Sequence, residues 1–262
     1  MRVSQIHRFD IVTRLRDSGC VFAEDEAELL ISTALSMDEL AHMVNRRVAG
    51  LPLESILGWA EFYGSRIMIE QGVFVPRRRT EFLVQQAITE ARPASNIIVD
   101  LCCGSGAIGK AVISSLEQGD LYAVDINPIA VRCARYNVAN KGTVFQGDLY
   151  EPLPSMLRGC VDILVANAPY VPTDAIEMMP QEARLYEPIV ALDGGKDGLE
   201  VQRRVVAEAP LWLAPGGKLL METSQRQSVE TAELFSNHGF IPRVVHSDEM
   251  DATIVIGTKP IL

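Results

Sequence analysis

The sequence predicts an α/β protein: a parallel sheet with helices on both faces, preceded by a small helical domain. Three observations carry this. From Thr80 onward, apolar runs of strand length alternate with segments of helical period. Gly104-Ser105-Gly106-Ala107-Ile108-Gly109 matches G-x-G-x-x-G between one such run and the next helical segment. Residues 5–50 carry no strand signature at all.

In residues 5–50, Phe9, Ile11, Val12 and Leu15 recur at three- and four-residue spacing, as do Ala27, Leu29, Leu30, Ala34 and Leu35. Glu24 or Asp25 can start a second helix, Ser36 a third, and Gly50 is a stop. We therefore expect a helical domain over residues 1–50. Residues 51–79 read as a linker holding a β-hairpin, with strands Arg66–Glu70 and Val73–Val75 split by Gln71-Gly72.

Residues 80–262 form the α/β domain. Thr80 to Ala91 reads as a helix with Thr80 as its N-cap, and Ile97 to Leu101 as a buried strand. Gly106 to Leu116 is helical, Leu121 to Asp125 a strand, and Pro128 to Ala139 a helix with Pro in its first turn. Thr143 to Gln146 and Val161 to Ala166 are strands, and Leu199 to Leu213 a helix ended by Pro215-Gly216-Gly217. Lys218 to Thr223 is a strand and Ser228 to Asn237 a helix closed by Gly239. Phe240 to His246 and Ala252 to Gly257 have no helix between them, so they are read as an antiparallel pair.

The 262 residues suit one large domain plus a small one, and 48% hydrophobic with 22% charged is an ordinary globular balance. No apolar run approaches the roughly 18 residues of a membrane span. Met1-Arg2-Val3-Ser4 leads into Arg14 and Arg16 with no apolar signal core, so a cytoplasmic location is expected. The five cysteines (Cys20, Cys102, Cys103, Cys133, Cys160) are odd in number and include an adjacent pair, which argues against a disulfide framework. Without Cys-x-x-Cys and with scattered histidines, no metal site is expected. A net charge of −10 counts against a nucleic-acid binder. Arg46-Arg47 reads as solvated surface; Arg77-Arg78-Arg79 is a second basic cluster that faces either a ligand or solvent.

The glycine loop lets the backbone approach a ligand and offers the free N–H groups of a helix start. Asp125, nineteen residues after Gly106, sits where a carboxylate accepts both ribose hydroxyls. That much fits NAD as well as S-adenosylmethionine. Asp100, just before the loop, decides between them: it would repel a pyrophosphate but attracts the ammonium of a methionyl group. Its plainer role is to bind the loop backbone. Asp148 follows the third strand, where it either accepts an adenine amino group or caps the next turn, and Leu149 can cover the adenine face.

Asn167-Ala168-Pro169-Tyr170 ends the fourth strand, at the edge of the sheet where ligands bind. The Asn167 amide oxygen and the Ala168 carbonyl can accept both hydrogens of a planar –NH2 group. Pro169 stiffens the turn, and Tyr170 can stack on the acceptor or wall the pocket. Two acceptors raise electron density on a poorly nucleophilic nitrogen and aim it at a methyl sulfonium, which is mostly positioning and electrostatics. The catalytic candidates are thus Asn167, Ala168, Pro169 and Tyr170, and the expected reaction is N-methylation from S-adenosyl-L-methionine, leaving S-adenosyl-L-homocysteine.

These motifs resemble the HemK/PrmC family, methyltransferases acting on the glutamine side-chain amide of peptide release factors. Gly50 to Gly58, Glu61-Phe62-Tyr63-Gly64, Gly72 to Arg77, Thr80-Glu81, Tyr186-Glu187-Pro188, Ala191 to Gly195 and Asp197-Gly198-Leu199 also resemble family blocks. The resemblance runs from about residue 50 to the C-terminus. It implies a seven-stranded Rossmann-like sheet of the class I S-adenosylmethionine-dependent type, with an N-terminal helical domain that helps dock a release factor. It also implies cofactor contacts from Cys102, Cys103, Gly104, Ser105, Gly106, Asp125, Leu149 and Asn167, with Asn167 and the Ala168 carbonyl holding the glutamine amide.

The chain departs from family pattern where Ala168 replaces the first proline of Asn-Pro-Pro-Tyr, where Arg78-Arg79 replaces a Pro-acid pair, and at Cys102-Cys103. The first two bear on the acceptor more than on the reaction. Another protein, a peptide, or a small-molecule amide or amine is an alternative acceptor. A nucleobase amino group is disfavoured by the acidic charge, and a non-catalytic cofactor-binding protein by the retention of Asp100, Asp125 and Asn167.

Overall fold

Four helices open the chain: α1 (Gln5–Asp17), α2 (Ala23–Thr33), α3 (Met37–Val48) and the short α4 (Leu53–Leu57). The structure, a computed structural model, describes residues 4–93 and 96–261, so Met1 to Val3, Ala94, Ser95 and Leu262 lie outside the described residues. Ile11, Leu15, Ala27, Leu30, Leu40 and Val44 share one buried cluster. Phe9 and Leu35, expected inside, are exposed; the helices share a single buried cluster, which needs only one apolar stripe from each. Ser36 caps α3 by accepting from the Glu39 amide at 3.1 Å. The second helix starts at Ala23 rather than Glu24 or Asp25, without a side-chain cap.

Residues 51–79 hold a hairpin built from other residues than expected, and its Ala60, Phe62 and Ile67 share a buried cluster with the large sheet. The hairpin strands are β1 (Trp59–Phe62) and β2 (Ser65–Met68), joined through Tyr63 (φ 48°) and Gly64 (φ 68°). Two consecutive left-handed residues favour a tight hairpin turn. Val73 and Val75 form no strand; they are buried side chains of a loop, Val73 against Ala130 and Cys133.

Next come α5 (Glu81–Glu90), β3 (Asn96–Leu101), α6 (Ala107–Ser115), β4 (Gly119–Asp125), α7 (Pro128–Val138), β5 (Gly142–Gln146) and β6 (Val161–Ala166). After a loop carrying the short α8 (Gln181–Tyr186) come α9 (Glu200–Trp212), β7 (Leu213–Thr223), α10 (Ser228–Asn237), β8 (Ile241–Ser247) and β9 (Ala252–Thr258). The seven-stranded sheet runs β5-β4-β3-β6-β7-β9-β8, parallel except that β9 is antiparallel to both neighbours. One buried cluster, including Val84, Val112 and Ala134, covers one face; another, including Tyr150, Val205 and Trp212, covers the other.

Two boundaries move. Thr80 is no N-cap: it has helical dihedrals and makes no cap bond. Pro215-Gly216-Gly217 does not stop the chain but lies within β7, across a register shift against β6. A Cβ at Gly217 would stand 2.8 Å from the Val161 carbonyl, so glycine permits the close approach that keeps the strand going.

Arg47 also departs from expectation. Its guanidinium pairs with Glu26 (Nε–Oε2 2.6 Å), donates to the Leu51 carbonyl at 3.0 Å and lies 3.8 Å from Glu182 on α8. Only 12% of the side chain is exposed, so it is an anchor rather than solvated surface. With the Tyr186 hydroxyl donating to the Ala49 carbonyl at 2.9 Å, it fastens the helical bundle to α8.

Candidate active site

The sheet order reverses between β3 and β6, which pair directly, with Leu101 opposite Ala166. The loop after β3 and the turn after β6 therefore face each other across one crevice at the carboxyl edge. A cleft of about 230 Å³ opens there. Cys102, Cys103, Gly104, Ser105, Asp125, Asp148, Leu149, Asn167, Ala168, Pro169 and Tyr170 all line it.

Asp100 and Gly106 do not; they lie just behind its wall, Asp100 shortly before the lining residues Cys102 to Ser105. Gly106 (φ 76°) turns the chain into α6, and a Cβ there would meet Ala134 Cβ at 3.1 Å. Asp100 is fully buried, and its Oδ2 accepts from the Gly109 amide at 2.8 Å. Its Oδ1 has no partner among the described residues. Burial pushes this carboxyl up to about 7, against the pull of the Gly109 amide. So Asp100 holds the loop backbone and keeps one oxygen free.

Asp125 sits at the tip of β4. Its Oδ2 accepts from the Gly104 amide at 2.8 Å and its Oδ1 from the Asn127 amide at 2.9 Å. Burial raises its pKa and these amides oppose the rise. Each oxygen keeps a lone pair for a ligand. Asp148 neither caps its turn through its side chain nor stands free: its Oδ2 pairs with Arg204 at 2.7 Å. Leu149 (φ 48°) is buried beside it. Burial pushes the Cys102 and Cys103 thiols up, so both stay protonated walls.

The turn after β6 rests on residues that sequence reasoning missed. The Asn167 amide donates from Nδ2 to the Thr80 hydroxyl at 3.4 Å. The Tyr170 hydroxyl donates to Glu222 Oε1 at 3.4 Å and accepts from Arg79 Nη2 at 2.9 Å. Arg79 Nε lies 3.5 Å from the same Glu222 oxygen. Burial raises the Glu222 pKa, while Thr80, Arg79 and Tyr170 pull it down. Burial, with the Glu222 charge, pushes the Tyr170 phenol up to about 12, so it remains a donor. A single acid closing the apolar run Leu219-Leu220-Met221 was the available signal for Glu222.

The arginine cluster divides. Arg77 and Arg79 both line the cleft, Arg77 paired with buried Glu187 and lying 5.0 Å over the Phe74 ring, Arg79 still partly exposed; Arg78 is exposed and lies outside the lining.

This fold and cleft define a class I S-adenosylmethionine-dependent methyltransferase, and residues 65–184 match the Methyltransferase small domain. The chain resembles a methyltransferase structure from Pyrococcus furiosus (TM-score 0.57, 15% identity, 84% of this chain and all of that one). It also resembles a ribosomal protein L11 methylase structure from Lactobacillus delbrueckii subsp. bulgaricus (TM-score 0.52, 15% identity, 70% of this chain and 80% of that one). At such identity these show the fold alone. Two relatives named release factor glutamine methyltransferase are nearer in sequence. The one from Geobacter sulfurreducens is 34% identical over 94% of this chain and 92% of its own length; the one from Mycolicibacterium smegmatis is 35% identical over 86% of each. The chain belongs to the release factor glutamine methyltransferase, or HemK/PrmC, family.

The residues present fit S-adenosylmethionine. A buried acid with a free oxygen suits the ammonium, left-handed Gly104 suits a close backbone, and Asp125 keeps lone pairs for a ribose.

Proposed function

We propose that this enzyme N-methylates the side-chain amide of a glutamine in a peptide release factor. The observation that carries the reading is the shared cleft: the Asn167-Ala168-Pro169-Tyr170 turn and the Gly104-Ser105-Gly106 loop face each other across the β3–β6 switch point. Bound S-adenosylmethionine supplies an electrophilic methyl carbon on a positively charged sulfur.

The chain supplies the geometry. Asp100, the 102–106 loop and Leu149 cradle the cofactor, with Asp125 on its ribose and Asp148 at the adenine edge. Asn167 Oδ1 and the Ala168 carbonyl accept the two amide hydrogens of the glutamine, which localises electron density on its nitrogen. Pro169 holds that carbonyl outward, and the Tyr170 ring walls the pocket. The nitrogen loses a proton after the C–N bond forms, when it is strongly acidic, so no strong base is needed. The site calls for no metal.

The helical bundle, fastened to α8 beside the cleft by Arg47 and Tyr186, is read as the dock for the protein substrate, in the cytoplasm where release factors act. Another peptide or small amide is the second reading, favoured by Arg79 at the position where the family resemblance places an acid. Transfer of a labelled methyl group to a release factor, compared with transfer to a small free amide, tests the choice. Label on the release factor alone supports the proposal; label on the small amide alone overturns it.

A further inference from the structure

We propose that Glu222, acting through the Thr80 hydroxyl, is a positioning residue that fixes which end of the Asn167 amide faces the acceptor. The inference rests on the amide-methylation reading and adds a role for two residues outside the turn.

An asparagine amide offers two donors at one end and an acceptor at the other. Asn167 holds a substrate –NH2 only if its oxygen points into the cleft. Turned the other way, two N–H groups would face two N–H groups and repel. Nothing within the tetrapeptide chooses between the two states, because the ends of the amide have nearly the same shape.

Thr80 makes the choice. Its side chain is buried against Asn167, with Nδ2 at 3.4 Å from its hydroxyl oxygen. A hydroxyl has one proton to give. Glu222, 2% exposed, is close enough to the Thr80 side chain to share a hydrogen bond with it and, when ionised, only accepts. Tyr170 and Arg79 both address Oε1, at 3.4 and 3.5 Å. Oε2 has no aligned partner among the described residues. A buried carboxylate oxygen without a donor is costly, and rotation of the Thr80 hydroxyl supplies one. The proton committed there is withheld from Asn167, so the hydroxyl shows the amide only lone pairs. The NH2 end turns to Thr80, and Oδ1 turns to the cleft. Burial works against the charged form of Glu222 on which the relay depends, and Thr80, Arg79 and Tyr170 work for it. One buried acid at the end of β7 thus sets two groups of the neighbouring turn, the Tyr170 hydroxyl and the Asn167 amide.

Thr80→Val removes the hydroxyl at nearly constant shape, and Thr80→Ser keeps it. Glu222→Gln removes the charge at constant volume. The readouts are the side-chain 1H–15N signals of Asn167, assigned against Asn167→Ala, together with kcat, KM for the acceptor and S-adenosylmethionine affinity. We expect Thr80→Val and Glu222→Gln to move the Asn167 signals and lower kcat about 10- to 100-fold, while KM and cofactor affinity stay within about threefold. Thr80→Ser restores both signals and rate. Unmoved Asn167 signals in either variant overturn the proposal, as does kcat within about threefold of the parent, or loss of cofactor affinity in step with kcat. If the parent methylates no glutamine, the acceptor reading falls, while the Asn167 signals still decide the positioning role.

Discussion

The Gly104 amide donates to Asp125 Oδ2 at 2.8 Å, so the loop after β3 and the tip of β4 are one hydrogen-bonded unit. The carboxylate proposed to bind the ribose also shapes the loop proposed to receive the methionyl group. Asp125→Ala is expected to weaken S-adenosylmethionine binding by about 1.5–3 kcal/mol, roughly ten- to a hundredfold, through loss of a charge-assisted contact. Asp125→Asn keeps one acceptor and loses less. Calorimetry checks both; unchanged affinity in Asp125→Ala places the ribose elsewhere.

Asn167→Ala removes an acceptor for the substrate amide but leaves the glycine loop intact. Turnover is expected to fall by at least about a hundredfold, while cofactor binding stays measurable. Single-turnover rates beside binding isotherms check this. Parent-level turnover would remove Asn167 from catalysis.

Ala168→Pro restores the proline that the family resemblance leads one to expect. Ala168 is buried, and its proposed role needs only its carbonyl. Activity is expected within about threefold of the parent. A collapse of activity would mean the pocket has been rebuilt around the smaller residue.

The pH dependence follows from Asp100. Burial raises its carboxyl from 3.8 to about 7 in the folded chain. The native state therefore holds an extra proton between those values, and the stability this group lends falls as pH rises across that window. Cofactor binding runs the other way, since the ammonium favours the ionised acid. Between pH about 5 and about 7, the denaturant midpoint is expected to fall while S-adenosylmethionine affinity rises with proton release. Asp100→Asn flattens both slopes, and parallel slopes in the parent would contradict this role.

Gly109 shows how tightly the loop is built. A Cβ there would stand 2.9 Å from both Asp100 Oδ2 and Leu121 Cδ1. Gly109→Ala is expected to cost about 1–3 kcal/mol in urea unfolding. A loss under about 0.5 kcal/mol would mean that the Asp100 side chain moves aside freely.

Most of the sheet was legible because its central strands are short, largely apolar runs between turn residues, as in Ile97 to Leu101 and Val161 to Ala166, each broken only by one aspartate. The cleft was legible because its glycine loop and tetrapeptide are contiguous in sequence. What escaped was long-range. Glu222 reaches Tyr170 across fifty-two positions and Thr80 reaches Asn167 across eighty-seven. Local pattern predicts a cap for Thr80, and only the β3–β6–β7 order places its hydroxyl beside the reactive turn. The hairpin slipped because Gln71-Gly72 and Tyr63-Gly64 are equally plausible turns until Glu81 Oε1 is seen to accept from the Tyr63 amide at 2.8 Å. Arg47 looked like surface because its partners, Glu26 and Glu182, come from two other elements.

The central claim is methyl transfer to a glutamine side-chain amide. Its most direct test is to incubate the purified chain with S-adenosylmethionine and an unmethylated peptide release factor, then map the added methyl by mass spectrometry. One methyl on the glutamine of the Gly-Gly-Gln loop is the expected result. No methyl on that glutamine, with cofactor binding confirmed in the same sample, would contradict it.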